Sequence, residues 1–510
     1  MVSRITSCGI NGIEGYTVSV EVDSSPGMPV YETVGLPDEA VKESRERVRS
    51  GIRNSMLNFP MYRVTVNLAP ADMKKTGSLY DLPIALGILE STGQIPAHCC
   101  DGVAVVGELA LDGTVRSVKG ALSMAIQCHN DEIASILLPA DNAREAACIQ
   151  GLRVIPAESL SQVVAFLRGQ KAVPVQPSVE WDSLARNSVY EEDFKYIKGQ
   201  QVAKRAMEIA AAGGHNILML GQPGSGKTML ARAMPSILPD ITFAESLEVT
   251  RVHSVMGMVG SGQTLMTRRP FRSPHHSASM ASITGGGMQL RPGEISLAHH
   301  GVLFLDEFPE FSRAVLESLR QPLEDGMVTI TRARGAVTYP CRTILVAAMN
   351  PCPCGNYGST KPCRCTQQQI RHYLSRISGP MLDRIDMHLE LEAVPYEQLT
   401  GRQEGEPSSA VRKRVNAARQ RQLTRYKDTG ILCNSHVSGR RLQEVCALSP
   451  ECARVTRQFY ETLGMTARSY TRVLRVARTI ADLEGCEDIG VPHIAEAFQY
   501  RMADEKFWGR

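Results

Sequence analysis

Apolar and polar residues alternate along "YTVSVEVD" (Tyr16 to Asp23) and again along "YRVTVNLAP". A period of two sends every second side chain to one face, the pattern of a half-buried strand. The runs "VAVVGELALDG" and "SILLPAD" read as further strands, while "DEAVKESRERVRSGIRN" and "LYDLPIALGILESTG" between them read as helices. Strands separated by helices predict an α/β region with a parallel or mixed sheet over residues 1–170. "GQKAVPVQPSVEWDS" contains prolines and no period, so 171–192 is expected to be a linker. A second α/β region is expected over 193–395, and 396–510 reads as helices.

In the second region, "MVTITRARGAVTYPCRTILVAAMN" (Met327 to Asn350) reads as two strands around a turn. Val328 and Ile330 alternate with Thr329 and Thr331, Gly335 sits at the tip, and Val337, Ile344 and Val346 follow on the return. Two arginines, Arg332 and Arg334, crowd the turn.

The strongest chemical signal is "HNILMLGQPGSGKTMLARAM". An apolar strand runs into G-x-x-x-x-G-K-T and a helix follows. The loop comprises Gly221, Gln222, Pro223, Gly224, Ser225, Gly226, Lys227 and Thr228. Its glycines let backbone N–H groups wrap phosphates, Lys227 reaches the terminal phosphates, and the Thr228 hydroxyl faces Mg²⁺. ATP with Mg²⁺ is the expected ligand. "GVLFLDE" supplies a buried strand with two carboxylates at its end. Asp306 is expected to hold the Mg²⁺ through water, and Glu307 to polarise the attacking water. Alone a DE pair is weak; downstream of such a loop it is strong.

Asn350 ends the next strand, where a polar group would orient water beside the γ-phosphate; the alternative is a turn cap. Arg384, in "ISGPMLDRIDMHLEL", suits an arginine supplied to a neighbouring subunit's nucleotide; the alternative is a local pair with Asp383 or Asp386. Arg468 opens the helix of "TARSYTRVLRVARTIADL" and suits a lid residue reaching back to the phosphates. Arg472, Arg475 and Arg478 on that helix are open to reading as a solvated face.

Charge narrows the partners. With 56 basic and 53 acidic residues the net charge is +3, so nucleic-acid contact must come from local patches. One candidate is Ser408 to Lys427, with seven Lys or Arg and no acid. Val411, Val415 and Ala418 form its apolar face and leave Arg412, Arg414, Arg419 and Arg421 more exposed; a solvated lid helix is the competing reading. The 14 cysteines come with no secretory leader and no apolar run long enough to span a bilayer. A cytoplasmic protein with reduced thiols and no membrane partner is expected. Four of the cysteines fall in "PCPCGNYGSTKPCRCT": Cys352-x-Cys354, eight residues, Cys363-x-Cys365. Either they hold one structural Zn²⁺, or they are four reduced thiols in a loop, paired as disulfides when isolated in air.

The order of phosphate loop, DE strand, polar strand end, L-D-R-I-D and T-A-R resembles an AAA+ ATPase. More narrowly, "VGLPDEAVKESRERVRSGI", "NLAPADMKKTGSLYDLPIAL", "FRSPHHSASMASITGGG", "PGEISLAHHGVLFLDEFPEF" and "RISGPMLDRIDMHLEL" resemble the magnesium-chelatase-like YifB/ComM group, over essentially the whole chain. The resemblance implies a central P-loop AAA+ parallel-sheet domain with a C-terminal helical lid. It also implies a homo-hexameric ring with ATP at subunit interfaces and Arg384 acting in trans. The Arg332 and Arg334 hairpin would then face a central pore and grip DNA by charge. A second insertion is expected at about Val252 to Ser296, carrying Arg268, Arg269 and Arg272, with His275 and His276 structural or pore-lining. The implied activity is a DNA helicase or branch-migration motor in recombination or uptake of foreign DNA. The alternative is a chelatase-type motor that remodels a protein partner.

The N-terminal region is similar to the ribosomal-S5-like domain of Lon peptidases and RadA-type ATPases, on "VVGELALDGTVRSVKGAL" and "SILLPADN". Gly77 or Ser78 falls near the peptidase Ser, but Leu122 stands at the Lys position, with Lys119 three residues earlier. Leucine cannot deprotonate a nucleophile, so a non-proteolytic accessory domain is expected. Asp81 fits the RadA-like pattern better.

Overall fold

The computed structural model describes residues 2–185, 190–260, 263–287, 290–332, 335–358, 361–400 and 404–509. The chain is mixed α/β with a C-terminal helical region, and it forms two compact units. One is Met1–Asn187 with Phe243–Thr267; the other is Ser188–Thr242 with Arg268–Arg510.

The first unit is built on a seven-stranded mixed sheet. Its order is Tyr31–Val34, Arg63–Ala69, Glu14–Ser25, Val2–Asn11, Val103–Val105, Ser135–Pro139, Arg153–Ala157. Val2–Asn11 and Glu14–Ser25 pair antiparallel in the register Thr6↔Ser19, and the sheet becomes parallel from Val103–Val105 onward. Val18, Val20 and Val22 are buried, as the alternation requires. The helix Asp81–Ser91 packs over the first two strands, with Asp81 through Glu90 buried. Such a helix cannot carry a free charge, and Asp81 is held by the Arg47 guanidinium (Nε–Oδ2 2.6 Å, Nη2–Oδ1 3.0 Å). Burial pushes the Asp81 carboxyl up to about 6, against the downward pull of Arg47. Leu122 is fully buried, and the Ser78 hydroxyl is bonded to the Glu108 carboxylate.

Within 171–192, residues 171–180 carry no helix or strand and most are exposed, although Val173 is buried and the N–H of Gln176 donates to the Val154 carbonyl (2.9 Å). The insertion expected at Val252 to Ser296 is divided between the units. The helix Phe243–Val255 lies against Ala121–Asn130, Val249 and Val252 are buried, and Arg251 pairs with Glu14 at 2.6 Å. An apolar helix face in a loop insertion goes wherever it can be covered, which local sequence does not specify.

The second unit centres on a five-stranded parallel sheet. Its order is Phe271–Arg272, Val302–Leu305, Ile344–Met349, Ile217–Gly221, Met387–Leu391. Every residue of Ile217–Gly221 is buried, as expected of a parallel strand covered on both faces. Met327–Arg332 and Gly335–Pro340 pair antiparallel as a separate hairpin, with Arg332 opposite Gly335. The expected return strand is therefore too long. Ile344 and Val346 belong to the five-stranded sheet, because Pro340 cannot continue a ladder and the Cys341 N–H closes onto Gly326 (2.8 Å).

The C-terminal helices share one apolar core with the helix Gln201–Gly213, through Val415, Val473, Ala477 and Ile480. Here one reading is corrected. Arg472, Arg475 and Arg478 are not a solvated face: Arg472 binds Asp386, burial lowers the Arg475 pKa, and Arg478 donates to the carbonyls of Cys486 and Glu487. On the basic helix Val411, Val415 and Ala418 are buried and Arg414 and Arg421 are exposed, as expected, while several of its arginines also find partners within the unit. Arg414 pairs with Glu208 (2.5 Å) and Glu406 (2.5 Å), Arg419 donates to Leu432 and Ala211 carbonyls, and Arg421 to the Asp482 carbonyl. Acids from other elements thus pair with Arg414, while Arg419 and Arg421 meet backbone carbonyls.

Asp386 gives the unit an acid-sensitive point. Burial pushes its carboxyl up, but Arg472 and His215 more than offset this and hold it well below the usual carboxylate range. A depressed folded pKa contributes stability above the unfolded value of about 3.9, and the contribution is lost as pH falls below it. Asp386→Asn is therefore expected to lower stability at pH 7 and to flatten the decline in urea midpoint below about pH 4. An unchanged acid limb would show that other carboxylates set it.

Candidate functional site

The strand Ile217–Gly221 delivers the loop to the C-terminal edge of the sheet, and the helix Lys227–Ala233 starts directly after it. Gly224 (φ 80°) and Gly226 (φ 92°) adopt left-handed backbone, which a side chain at either position would strain. The Lys227 ammonium donates to the carbonyls of Gly221 and Gln222 (both 2.8 Å) and to Asn350 Oδ1 (3.3 Å). Burial lowers its pKa, with Asp306 pulling the other way. Thr228 Oγ1 donates to Asp306 Oδ2 at 2.9 Å. Three strands adjacent in the sheet thus bring together Lys227 and Thr228, Asp306, and Asn350, residues far apart in the chain. A hydroxyl beside a carboxylate at the mouth of a phosphate loop is a donor set that fits Mg²⁺.

Glu307 follows Asp306 and turns sharply: its backbone is left-handed (φ 52°, ψ 44°), its N–H is held by Asp306 Oδ1 at 2.9 Å, and its side chain is 58% exposed. Its carboxylate Oε2 lies 3.0 Å from His276 Nδ1. The sequence singled out His276 only as one of a histidine pair; nothing local to "FRSPHHS" indicates this partner.

Other expected residues stand apart. Arg384 is nearly buried (side chain 10% exposed) and bonds Glu324 at 2.6 Å, rather than Asp383 or Asp386. Arg468 is exposed at the start of the helix Ala467–Glu484. Among the described residues, no hydrogen bond or ion pair joins either arginine to the Lys227 cluster. Arg332 is exposed beside the hairpin turn and pairs with no carboxylate among the described residues; Arg334 lies outside them. Arg268 stacks over Tyr190, Arg269 donates to the carbonyls of Pro239, Asp240 and His300, and Arg272 forks onto Glu294 (2.6 and 2.9 Å). All three therefore have structural partners.

Cys352, Cys354, Cys363 and Cys365 converge, with their sulfurs all within 4.8 Å of one another. Cys352–Cys354 is 3.4 Å, Cys354–Cys363 3.6 Å and Cys352–Cys363 3.7 Å. Backbone N–H groups of Asn356 and Arg364 pull the Cys354 thiol down to about 6. The loop leans on the phosphate loop: a methyl on Gly355 would stand 2.5 Å from Pro223 Cδ.

Comparison with known proteins bears on the whole chain. The family described as "Magnesium chelatase, subunit ChlI" matches residues 193–399; "Subunit ChlI of Mg-chelatase" matches 20–142, and "Magnesium chelatase, subunit ChlI C-terminal" matches 405–501. The chain is 43% identical over 494 residues to the uncharacterized protein YifB of Salmonella typhimurium, covering 97% of this chain and 96% of that one. It is 43% identical over 493 residues to the competence protein ComM of Haemophilus influenzae, covering 96% and 95%. A magnesium-chelatase 38 kDa subunit of Rhodobacter capsulatus is 24% identical over 176 residues, 31% of this chain and 50% of that protein.

Proposed function

The chain belongs to the YifB/ComM family of magnesium-chelatase-like AAA+ ATPases, and from that premise we propose that it is a ring motor that hydrolyses ATP to move DNA. The observation that carries the ATPase reading is the convergence of Lys227, Thr228, Asp306 and Asn350 at one sheet edge. The loop from Gly221 to Thr228 wraps the phosphates through its N–H groups, and Lys227 exchanges its carbonyl contacts for phosphate oxygens. Mg²⁺ held by Thr228 and Asp306 would neutralise charge on the phosphate oxygens. Asn350 orients the attacking water and Glu307 polarises it.

Hydrolysis takes place between subunits of a hexamer. Arg384 leaves Glu324 to approach a neighbour's nucleotide, and Arg468 approaches from the lid. Supporting the interface reading, neither arginine is bonded to its own subunit's Lys227 cluster.

DNA is gripped by Arg332 and Arg334. What favours this is an exposed arginine at the end of a two-stranded hairpin, while Arg272 and Arg414 are paired with carboxylates. The name of the ComM relative, a competence protein, agrees with a DNA substrate. The test is the ATPase rate with single-stranded, duplex and branched DNA at two salt concentrations. DNA is expected to raise the rate, less at high salt, and Arg332→Ala/Arg334→Ala to remove the stimulation. No stimulation by any DNA would move the reading to a motor that remodels a protein partner.

The four cysteines hold one structural Zn²⁺. Four thiolates about 2.3 Å from a tetrahedral ion stand about 3.8 Å apart, close to the sulfur separations here. Elemental analysis of protein purified without chelator is expected to find one zinc per chain, and none in Cys363→Ser/Cys365→Ser. Wild-type protein that neither retains nor takes up zinc would sink this assignment.

A further inference from the structure

The cysteine loop and the phosphate loop meet through one turn. Cys352, Pro353, Cys354 and Gly355 form it, and the Gly355 N–H donates to the Cys352 carbonyl at 3.0 Å. Gly355 closes the turn in left-handed backbone (φ 80°). It faces Pro223, the third residue of the phosphate loop: a methyl on Gly355 would stand 2.5 Å from Pro223 Cδ and 2.8 Å from Cγ. Glycine is therefore required twice, for the backbone angle and for the close approach. Two of the four converging sulfurs lie on this same turn, so a shift of Cys352 or Cys354 moves Gly355 with it.

The rest of the segment is anchored. It begins at Asn350, whose Oδ1 accepts from Lys227 at 3.3 Å, while Lys227 also holds the carbonyls of Gly221 and Gln222 just before Pro223. The Tyr357 N–H donates to Cys352 Sγ at 3.3 Å, and the Tyr357 ring meets Phe507 edge-on (centroids 6.3 Å apart) on the helix Met502–Trp508. At the far end Thr366 caps the helix Gln367–Leu374, and the Asn350 N–H donates to the hydroxyl of Tyr373 on that helix. With both ends held, the first turn is what remains to be placed. Gathering its two sulfurs with those of Cys363 and Cys365 places it.

We infer that Gly355 is a positioning residue for nucleotide: through its contact with Pro223, metal occupancy of the four thiolates sets how tightly the phosphate loop binds, an inference that rests on the zinc and nucleotide readings of the two sites. With the cysteines gathered, the turn bears on Pro223 and keeps the N–H groups that follow it in the arc that phosphates need. With the cysteines released, Pro223 loses its partner and the loop must be ordered by the ligand itself, which costs affinity. Gly355 has no side chain to meet nucleotide, so it acts only through Pro223. Coupling of this kind is reciprocal: nucleotide tightens zinc by the same factor as zinc tightens nucleotide. In a chain that stays folded, a cysteine loop that only stabilised the fold would show no such factor.

The experiment uses the full chain, zinc-loaded and after stripping with a zinc-selective chelator in excess Mg²⁺. It measures affinity for a fluorescent ADP analogue in both forms, and zinc affinity by chelator competition with and without ADP, while circular dichroism follows the fold. Stripping wild type is expected to weaken ADP binding about 5-fold or more, the lower range of coupling between sites, and ADP is expected to tighten zinc by the same factor. Gly355→Ala is expected to keep one zinc per chain yet bind ADP about 5-fold or more weakly, and it serves where the stripped chain unfolds. Pro223→Ala, which trims the ring that Gly355 meets, is expected to bind ADP equally with and without zinc. Wild-type ADP affinity in Gly355→Ala with zinc retained, or in stripped wild type, would overturn the inference and leave the zinc reading standing. A chain that neither retains nor takes up zinc overturns the zinc reading and the coupling together. A zinc-loaded chain that binds no ADP overturns the nucleotide reading, and the coupling with it.

Discussion

Replacing Glu307 with glutamine is expected to slow ATP hydrolysis by about 10²–10⁴-fold, the range for loss of a positioned general base, while nucleotide binding persists. Glutamine keeps the shape and the capacity to bond but cannot accept the proton. The groups proposed to hold nucleotide are elsewhere: the loop N–H groups, Lys227, and the Thr228–Asp306 pair. Glu307 is exposed and its side chain bonds only His276 among the described residues, so the substitution removes little from the fold. The measurement is steady-state phosphate release beside binding of a fluorescent ATP analogue. Loss of both together would mean that Glu307 holds the loop; loss of neither would assign the water to another group.

The second large effect is on stability, at Asp482. This carboxylate is fully buried on the helix Ala467–Glu484. It accepts hydrogen bonds from Nη1 and Nη2 of Arg425 (2.9 and 2.5 Å) and from the Asn434 amide (2.9 Å), and forms an ion pair with Arg478 (3.1 Å). Arg478 is itself 3% exposed. Two guanidiniums thus depend on one carboxylate, and removing it leaves buried positive charge without compensation. Asp482→Ala is expected to cost about 3–5 kcal/mol, read from urea unfolding of the second unit. Asp482→Asn, which keeps part of the bonding, is expected to cost less. A loss below about 1 kcal/mol would mean that the arginines turn out to water.

These effects differ in how far they could be read from residues alone. The strand, Gly-rich turn and helix around Gly221 to Thr228, and the strand that leads into Asp306, were legible because each is formed by contiguous residues as a local event. The convergence of Cys352, Cys354, Cys363 and Cys365 was legible for the same reason: the loop is short, so spacing constrains distance. The helix from Ser408 misled only as to partners: its buried face was legible, but Glu208 and Glu406, which meet Arg414, lie on other elements. The run of Arg472, Arg475 and Arg478 misled likewise: a charged residue in a helical period normally marks the wet face, but here Asp386, Asp482 and backbone carbonyls receive it. The hairpin was legible, but its end was not; the register set at Pro340 and Cys341 decided which residues return to the main sheet.

By itself the sequence determined the alternation of strands and helices, the strand, Gly-rich turn and helix around Gly221 to Thr228, and the family. Each of these rests on short-range spacing or residue type. Only the tertiary structure decided that Phe243–Thr267 folds with the first unit, that Arg384 meets Glu324, and that His276 meets Glu307. Those pairings depend on how distant segments are covered and aligned by the sheet. Burial and long-range charge, not local spacing, choose the partner.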